Sequence, residues 1–365
     1  MARVVVIGGG YGGVTVAKGL DPIADVILVE QKDMFVHHAA ALRAAVDDVW
    51  EHAIFMPYSY LLQQGEVMKG TVSRVEKGKV HVFGKDPIDA DFIVFATGSN
   101  YPFPAKHNMS QVAVAKARIE QLHANLAAAE SVLLVGGGTV GLELAGELAH
   151  SFPHLHIKIV EKEDTILPTE GYTEEFREAV REQTDKLGAT VYTDAELAYL
   201  PSTAIGELGH FRVDTKDGRE IEADLWFKCY GSQPASGYLH GTEFASVLNQ
   251  DGTVQVVDNM QVKGYDTVYA VGDITDVPES KRADAARHQA RVVVANIANQ
   301  IDGANPDVIY RPTKEWVVLP LGPELGASQL LDAQGNTRVI GAAQTAEIKG
   351  TDLMVSVIRS QLNLP

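Results

Sequence analysis

Thiols are nearly absent from this sequence: Cys229 is its one cysteine. A single cysteine makes no internal disulfide, no cysteine-based metal site and no redox-active pair. That usage fits a reducing compartment, so a cytoplasmic location is expected. Long apolar runs are also missing. No stretch approaches the roughly 18 uninterrupted apolar residues that a spanning helix needs. The start, MARVVVIGGG, has no charged lead before an apolar signal core, and Ala2 offers no glycine for N-myristoylation. Positive charge is scarce: 31 Lys and Arg stand against 48 Asp and Glu, a formal net charge of −17. Such a surface repels phosphate backbones, so nucleic acid is not an expected partner. His123, His150, His154 and His156 lack a ligand-like spacing with carboxylates, and no metal is expected.

Glycine is plentiful, and its placement is informative. Arg3 to Ile7 is a β-branched run, the pattern of a buried parallel strand. Gly8-Gly9-Gly10-Tyr11-Gly12-Gly13 follows, then helical spacing over Val14 to Leu20, then a second strand, Val26 to Val29, ending at Glu30. This is a βαβ unit with a dinucleotide fingerprint. Gly8 permits the tight turn, Gly10 lets backbone approach a pyrophosphate, and Gly13 lets helix and strand pack closely. The helix N-terminus then offers N–H groups to phosphate oxygens. Glu30 is placed to accept from ribose hydroxyls.

The pattern starts again at Ser131. A strand to Val135 leads into Gly136-Gly137-Gly138-Thr139-Val140-Gly141, a helix over Val140 to Ala149, and a strand from Ile157 to Val160 that ends at Glu161. Two dinucleotides in one chain imply electron transfer between them. Between the units, Phe92 to Phe95 is a buried strand running into Ala96-Thr97-Gly98, and Tyr101 to Pro104 reads as a crossover. Leu225 to Tyr230 runs into Gly231 in the same way. Val268 to Val271 ends at Gly272-Asp273, and Ala283 to Gln300 is a helix. In the tail, Trp316 to Leu319 and Arg338 to Ala342 read as strands and Leu353 to Leu362 as a helix.

This order of motifs resembles the two-dinucleotide-binding flavoproteins of the glutathione-reductase fold. Lys32 to His38, Ala41-Leu42-Arg43-Ala44 and Val294 to Ile297 narrow the likeness to the apoptosis-inducing-factor-like group of the ferroptosis-suppressor type, related to type II NADH dehydrogenases. The resemblance implies an α/β fold of two Rossmann-like domains, with the NAD domain inserted in the FAD domain. The expected limits are 1–104 and 232–305 for FAD, 105–231 for NAD(P)H, and a small α+β region over 306–365. It implies that Asp273 bonds the FAD ribityl chain. Arg43 and Val67 would contact FAD, Val67 through its backbone. Glu143 would sit near nicotinamide and flavin, with Lys106 near the crossover. Gln289 would face the flavin or a quinone slot. Lys32, Ala96 to Gly98, Gly231 and Gly272 complete the expected cofactor contacts.

Such relatives pass electrons from NADH or NADPH through FAD to quinones. Disulfide reductases of this fold carry two cysteines beside the flavin, and residues 33–46 here hold none. Reduced flavin must therefore hand electrons to an external acceptor, and a quinone needs only a flat, largely apolar slot. Its protons would come from His37, His38 or solvent. Two alternatives stay open: a ferredoxin or rubredoxin reductase, and an NADH-sensing interaction protein with incidental catalysis. Whether the FAD is chemically modified is not readable. The terminal helix, with Leu353, Met354, Val355, Val357, Ile358, Leu362 and Leu364, is a candidate face for shallow docking at the inner membrane surface, for a homodimer, or for the flavin domain.

Glu161 carries one prediction. A carboxylate suits a free 2′-hydroxyl and repels a 2′-phosphate, so kcat/KM for NADH should exceed that for NADPH. A strong NADPH preference would sink it.

Overall fold

The computed structural model describes residues 1–365. Its first sheet has five parallel strands in the spatial order Val268–Ala270, Phe92–Phe95, Arg3–Ile7, Asp25–Glu30, Glu66–Lys69. Val4, Val5 and Val6 are wholly buried, because a parallel sheet is covered on both faces. The helices Tyr11–Leu20 and Ala283–Ile301 cover one face, Val16, Leu20, Val293 and Ile297 packing into the same core. An antiparallel meander (Val72–Glu76, Lys79–Val82, Ile88–Asp89) helps cover the other.

The second sheet is again parallel, in the order Thr190–Tyr192, His156–Val160, Ser131–Val135, Leu225–Lys228. Helices Val112–Ala128 and Thr139–Ser151 pack on it through Leu122, Leu126, Leu144 and Leu148. The chain leaves the first sheet and returns to it through two short antiparallel strands, Ser99–Asn100 and Gln233–Pro234. The crossover is thus a paired ribbon just before the prolines, not a free linker.

The tail departs most from the sequence reading. It forms a three-stranded antiparallel sheet, Val317–Leu321, Leu325–Leu331, Thr337–Ile340. The middle strand is unexpected, because Leu-Gly-Ala-Ser-Gln-Leu-Leu has no polar–apolar alternation. Both of its faces are enclosed, and Ser328 and Gln329 are buried with their hydrogen bonds satisfied inside. Nor is the 306–365 region a separate body. Val317, Leu319, Leu321 and Ala327 belong to the core of the second sheet, while Ile358 and Leu362 belong to that of the first.

The terminal helix is shorter than expected, Val355–Gln361. Leu353, Ile358 and Leu362 are buried, and Lys18 Nζ donates to the Gln361 carbonyl at 2.8 Å and to Asn363 Oδ1 at 2.6 Å. Its apolar face is used inside the chain, against the flavin-type domain. Of the apolar residues on this helix, Val357 stays exposed. Between Asp25–Glu30 and Glu66–Lys69 of the first sheet, His38–Ala40 forms a tight turn and Ala41–Ala44 one helical turn.

The tail sheet approaches the Thr139–Ser151 helix so closely that a Cβ at Gly146 would run into the Leu321 backbone. Gly146→Ala should lower the melting temperature, at a cost of roughly 1–3 kcal/mol. Gly237→Ala, where a Cβ meets nothing, should stay within about 0.5 kcal/mol of wild type.

Candidate cofactor cleft

The two glycine loops are built alike. Gly8 (φ +104°) donates its N–H to the Val29 carbonyl at 2.8 Å, and Gly136 (φ +117°) donates to Val160 at the same distance. A Cβ at Gly13 would overlap the Gly8 carbonyl oxygen, and one at Gly141 the Gly136 oxygen. Only glycine lets each helix sit this close to its strand end. A Cβ at Gly10 or Gly138 would meet no protein atom within 4 Å, so these positions face open space. No side chain caps either helix N-terminus. Both loops therefore fit a pyrophosphate: open at the middle glycine, with a helix start behind it.

The strand-end carboxylates do a job the sequence reading did not assign. Glu30 accepts the Gly9 N–H with one oxygen and the Lys32 N–H, at 2.8 Å, with the other. Glu161 accepts from Gly137 at 2.8 Å and Glu163 at 3.0 Å. Both carboxylates are buried and hold their loops in shape; spare lone pairs remain for a ribose hydroxyl. Tyr58, which the sequence did not flag, braces the first loop by donating to the Gly9 carbonyl at 2.8 Å.

Both domains and the tail open onto one cleft of about 800 Å³. Of the expected residues, Gly8, Gly10, Tyr11, Gly12, Glu30, Lys32, His38, Ala96, Thr97 and Gly98 line it from the first domain, with Lys106, Gly272 and Asp273. Thr139, Val140 and Glu143 reach it from the second. Gly9 and Gly13 lie behind the loop. Gly136, Gly138, Gly141, Glu161 and Gly231 are not on this wall.

Asp273 sits at the carboxyl end of its strand, where ligands of open parallel sheets bind. Its carboxylate accepts from Lys106 Nζ at 2.9 Å and from Ser99 Oγ at 2.5 Å. Burial alone raises its pKa, but the Lys106 charge and the two hydrogen bonds win, leaving it below the usual range. It is an anionic acceptor suited to a ligand hydroxyl. Lys106 also donates to the Ser99 carbonyl and hydroxyl, so it fastens the crossover ribbon to the Asp273 turn.

His38 reaches the cleft with Nε2 buried and unpartnered. Burial first, then the charges of Lys32 and Lys106, push its pKa well below 6.5. Its Nε2 has no partner within the protein. His37, the other expected proton source, is closed off. Nδ1 accepts from Tyr11 Oη at 2.9 Å and Nε2 donates to the Leu353 carbonyl at 2.7 Å, while burial lowers its pKa to about 4.

Two expectations are corrected. Arg43 does not reach the cleft; its guanidinium is buried on Glu147 and the Gly350 carbonyl. A sequence cannot tell a cation aimed at phosphate from one aimed at a carboxylate. Val67 stands opposite Leu28 on the edge strand of the first sheet and lines a smaller hollow that shares Lys32 with the cleft. Gly70, Thr71 and Val72 line the cleft just beyond it. Gln289 is buried behind the Gly272 turn: it accepts from the Gly272 N–H at 2.7 Å and donates to Glu279. It shapes the Asp273 turn and faces no slot.

Glu143 has an unforeseen partner. Lys349 from the tail donates to its two oxygens at 2.9 and 3.1 Å, and both side chains line the cleft. A lone lysine in Ala-Glu-Ile-Lys-Gly carries no local pattern that would have found it.

Twin nucleotide loops opening on one cleft, with a strand-end aspartate between them, define a two-dinucleotide flavoprotein. The chain belongs to the pyridine nucleotide-disulphide oxidoreductase family, which matches residues 2–290. It is 30% identical to apoptosis-inducing factor homolog B of Dictyostelium discoideum, over 100% of this chain and 97% of that one. It is 29% identical to ferroptosis suppressor protein 1 of Homo sapiens, over 97% and 94%. In fold it is like the sulfide:quinone oxidoreductase of Aquifex aeolicus, with a TM-score of 0.78 and 18% identity over 100% and 92% of the two chains. It is also like the NADH-bound water-forming NADH oxidase of Lactobacillus brevis, with a TM-score of 0.70 and 18% identity over 90% and 75%. The protein is an FAD- and NAD(H)-dependent oxidoreductase. FAD supplies two-electron chemistry, taking a hydride equivalent from NADH.

The open glycine positions make the cradle testable. Gly10→Ala should fold with a near-wild-type melting temperature in the apo form yet lose FAD on gel filtration. Gly13→Ala should not fold stably. Equal FAD retention by Gly10→Ala and wild type would refute the assignment of that loop.

Proposed function

We propose that the enzyme takes a hydride from NADH onto FAD and passes two electrons to a quinone. The observation that carries this is the lack of any thiol relay at the cleft. Cys229 lies beneath the second glycine loop, where a Cβ at Gly141 would sit 3.3 Å from its own Cβ. It is buried, and burial pushes its pKa up to about 12. With no dithiol to reduce, electrons leave the cleft directly to a small acceptor. The sulfide:quinone oxidoreductase that shares the fold is a quinone enzyme by name, which supports the choice of acceptor.

Each part has a task. The glycine loops hold the two pyrophosphates, and Asp273 accepts from a flavin-chain hydroxyl. The Glu143–Lys349 pair orients the nicotinamide end. His38 stands on the cleft wall as the neighbour of a quinone, and solvent supplies protons. The reading includes a cytoplasmic enzyme that meets its quinone at the inner membrane surface. No helix is long and apolar enough to cross a membrane, and the terminal helix leaves Val357 as its exposed large apolar side chain.

The test is anaerobic mixing of the FAD-loaded protein with NADH, followed by addition of menadione or a short-chain ubiquinone. Flavin absorbance should bleach with NADH and return within seconds of quinone addition. Ferredoxin, an acidic carrier, should reoxidise it far more slowly, since like charges suppress encounter. Faster return with ferredoxin would reverse the conclusion.

A further inference from the structure

Arg43 is buried where three parts of the chain meet. It stands on the short Ala41–Ala44 turn of the first domain. Its Nε and Nη2 donate to both oxygens of Glu147, at 2.9 to 3.1 Å, on the Thr139–Ser151 helix. Its Nη1 donates to the Gly350 carbonyl of the tail. The Trp50 ring lies against the guanidinium, with its centroid at 5.0 Å. The two side chains of the ion pair are 5% and 2% exposed. Both of its grips fall next to the charged pair in the cleft. Glu147 is one helical turn beyond Glu143, and Gly350 directly follows Lys349.

We propose that Arg43 is a positioning residue: through Glu147 and Gly350 it sets where Glu143 and Lys349 stand in the cleft. This rests on the reading of that pair as part of the hydride-transfer site. The planar guanidinium suits the task, because it binds a carboxylate with one edge while a further N–H serves a carbonyl. Lysine has neither the fork nor the reach to do both. Lys349 is a flexible side chain on a segment that the first domain holds largely by its backbone. The Gly350 contact lies at its root.

The test uses the full-length FAD-loaded protein and the variants Arg43→Lys, Lys349→Met and the two combined. Arg43→Lys keeps the charge opposite Glu147, so thermal unfolding should change little. Its limiting rate of flavin bleaching by NADH should fall roughly 10- to 100-fold, the scale of a displacement of about 1 Å, with NADH affinity little changed. Hydrogen exchange at Thr351 and Leu353, whose N–H groups bond Ala346 and Lys349, should quicken, while Ser131–Val135 stays slow. Lys349→Met should lose a similar factor, and the combined variant no more than either.

Losses that multiply in the combined variant, or wild-type bleaching and exchange in Arg43→Lys, overturn the proposal. Wild-type bleaching in Lys349→Met alone shows instead that the cleft reading is at fault, and the proposal falls with it. If Arg43→Lys does not fold, Arg43→Met with Glu147→Met removes both buried charges, a replacement proteins tolerate. It should fold and show the same slow bleaching; bleaching at the wild-type rate would overturn the proposal.

Discussion

The architecture turns on a hydrogen atom standing where other residues carry a methyl group. At Gly13 and again at Gly141, a Cβ would overlap the carbonyl oxygen that begins the same loop. Its absence lets a helix start almost on top of the strand that feeds it. The helix N-terminus is then aimed at the carboxyl edge of a parallel sheet, and the middle glycine is left facing space. A buried glutamate on the neighbouring strand locks the loop by accepting its N–H. There are two copies of this device, the first lining the cleft with its glycines and the second reaching it through Thr139 and Val140. Everything else in the cleft is arranged around them.

The tail makes the cleft complete. It contributes Lys349 to one wall and Val317 to another. The first domain holds it mainly by backbone carbonyls: Arg43 grips Gly350, His37 grips Leu353, and Lys18 grips Gln361. Leu353 and Met354 both have positive φ, 46° and 64°. A non-glycine residue in that region costs on the order of 1 kcal/mol or more, so the surrounding contacts must hold the bend. The segment is shaped by what grips it rather than by its own preferences.

What could be read in the sequence follows from how local the physics is. The fingerprints were legible because the interaction that needs glycine lies within six consecutive residues. The positions of the strand-end acids were legible because a strand announces its own end, whereas the role expected of Asp273 came from the resemblance. Lys349 and Ser99 were not, because their partners Glu143 and Asp273 lie far off in the chain. Arg43 and Gln289, expected at the cleft, are turned away from it onto Glu147 and the Gly272 turn. Residue type and position carry no information about which way a side chain points once several elements crowd it. The middle strand of the tail sheet was invisible for a related reason: enclosed on both faces, it shows no alternation, and its buried Ser328 and Gln329 read as surface.

The sheet order has a consequence for how the protein is made. Arg3–Ile7 is made before the other strands of its sheet and is central in it, while its edge strand is Val268–Ala270 and Ile358 and Leu362 fill its core. At about ten residues per second, the early strands wait on the order of half a minute for that edge to be synthesised, and longer for the rest of the core. The inserted second sheet, spanning 131–228, has all its strands in hand well before then, yet Val317, Leu319, Leu321 and Ala327 of the tail complete its core. Neither core is whole until the tail has been made.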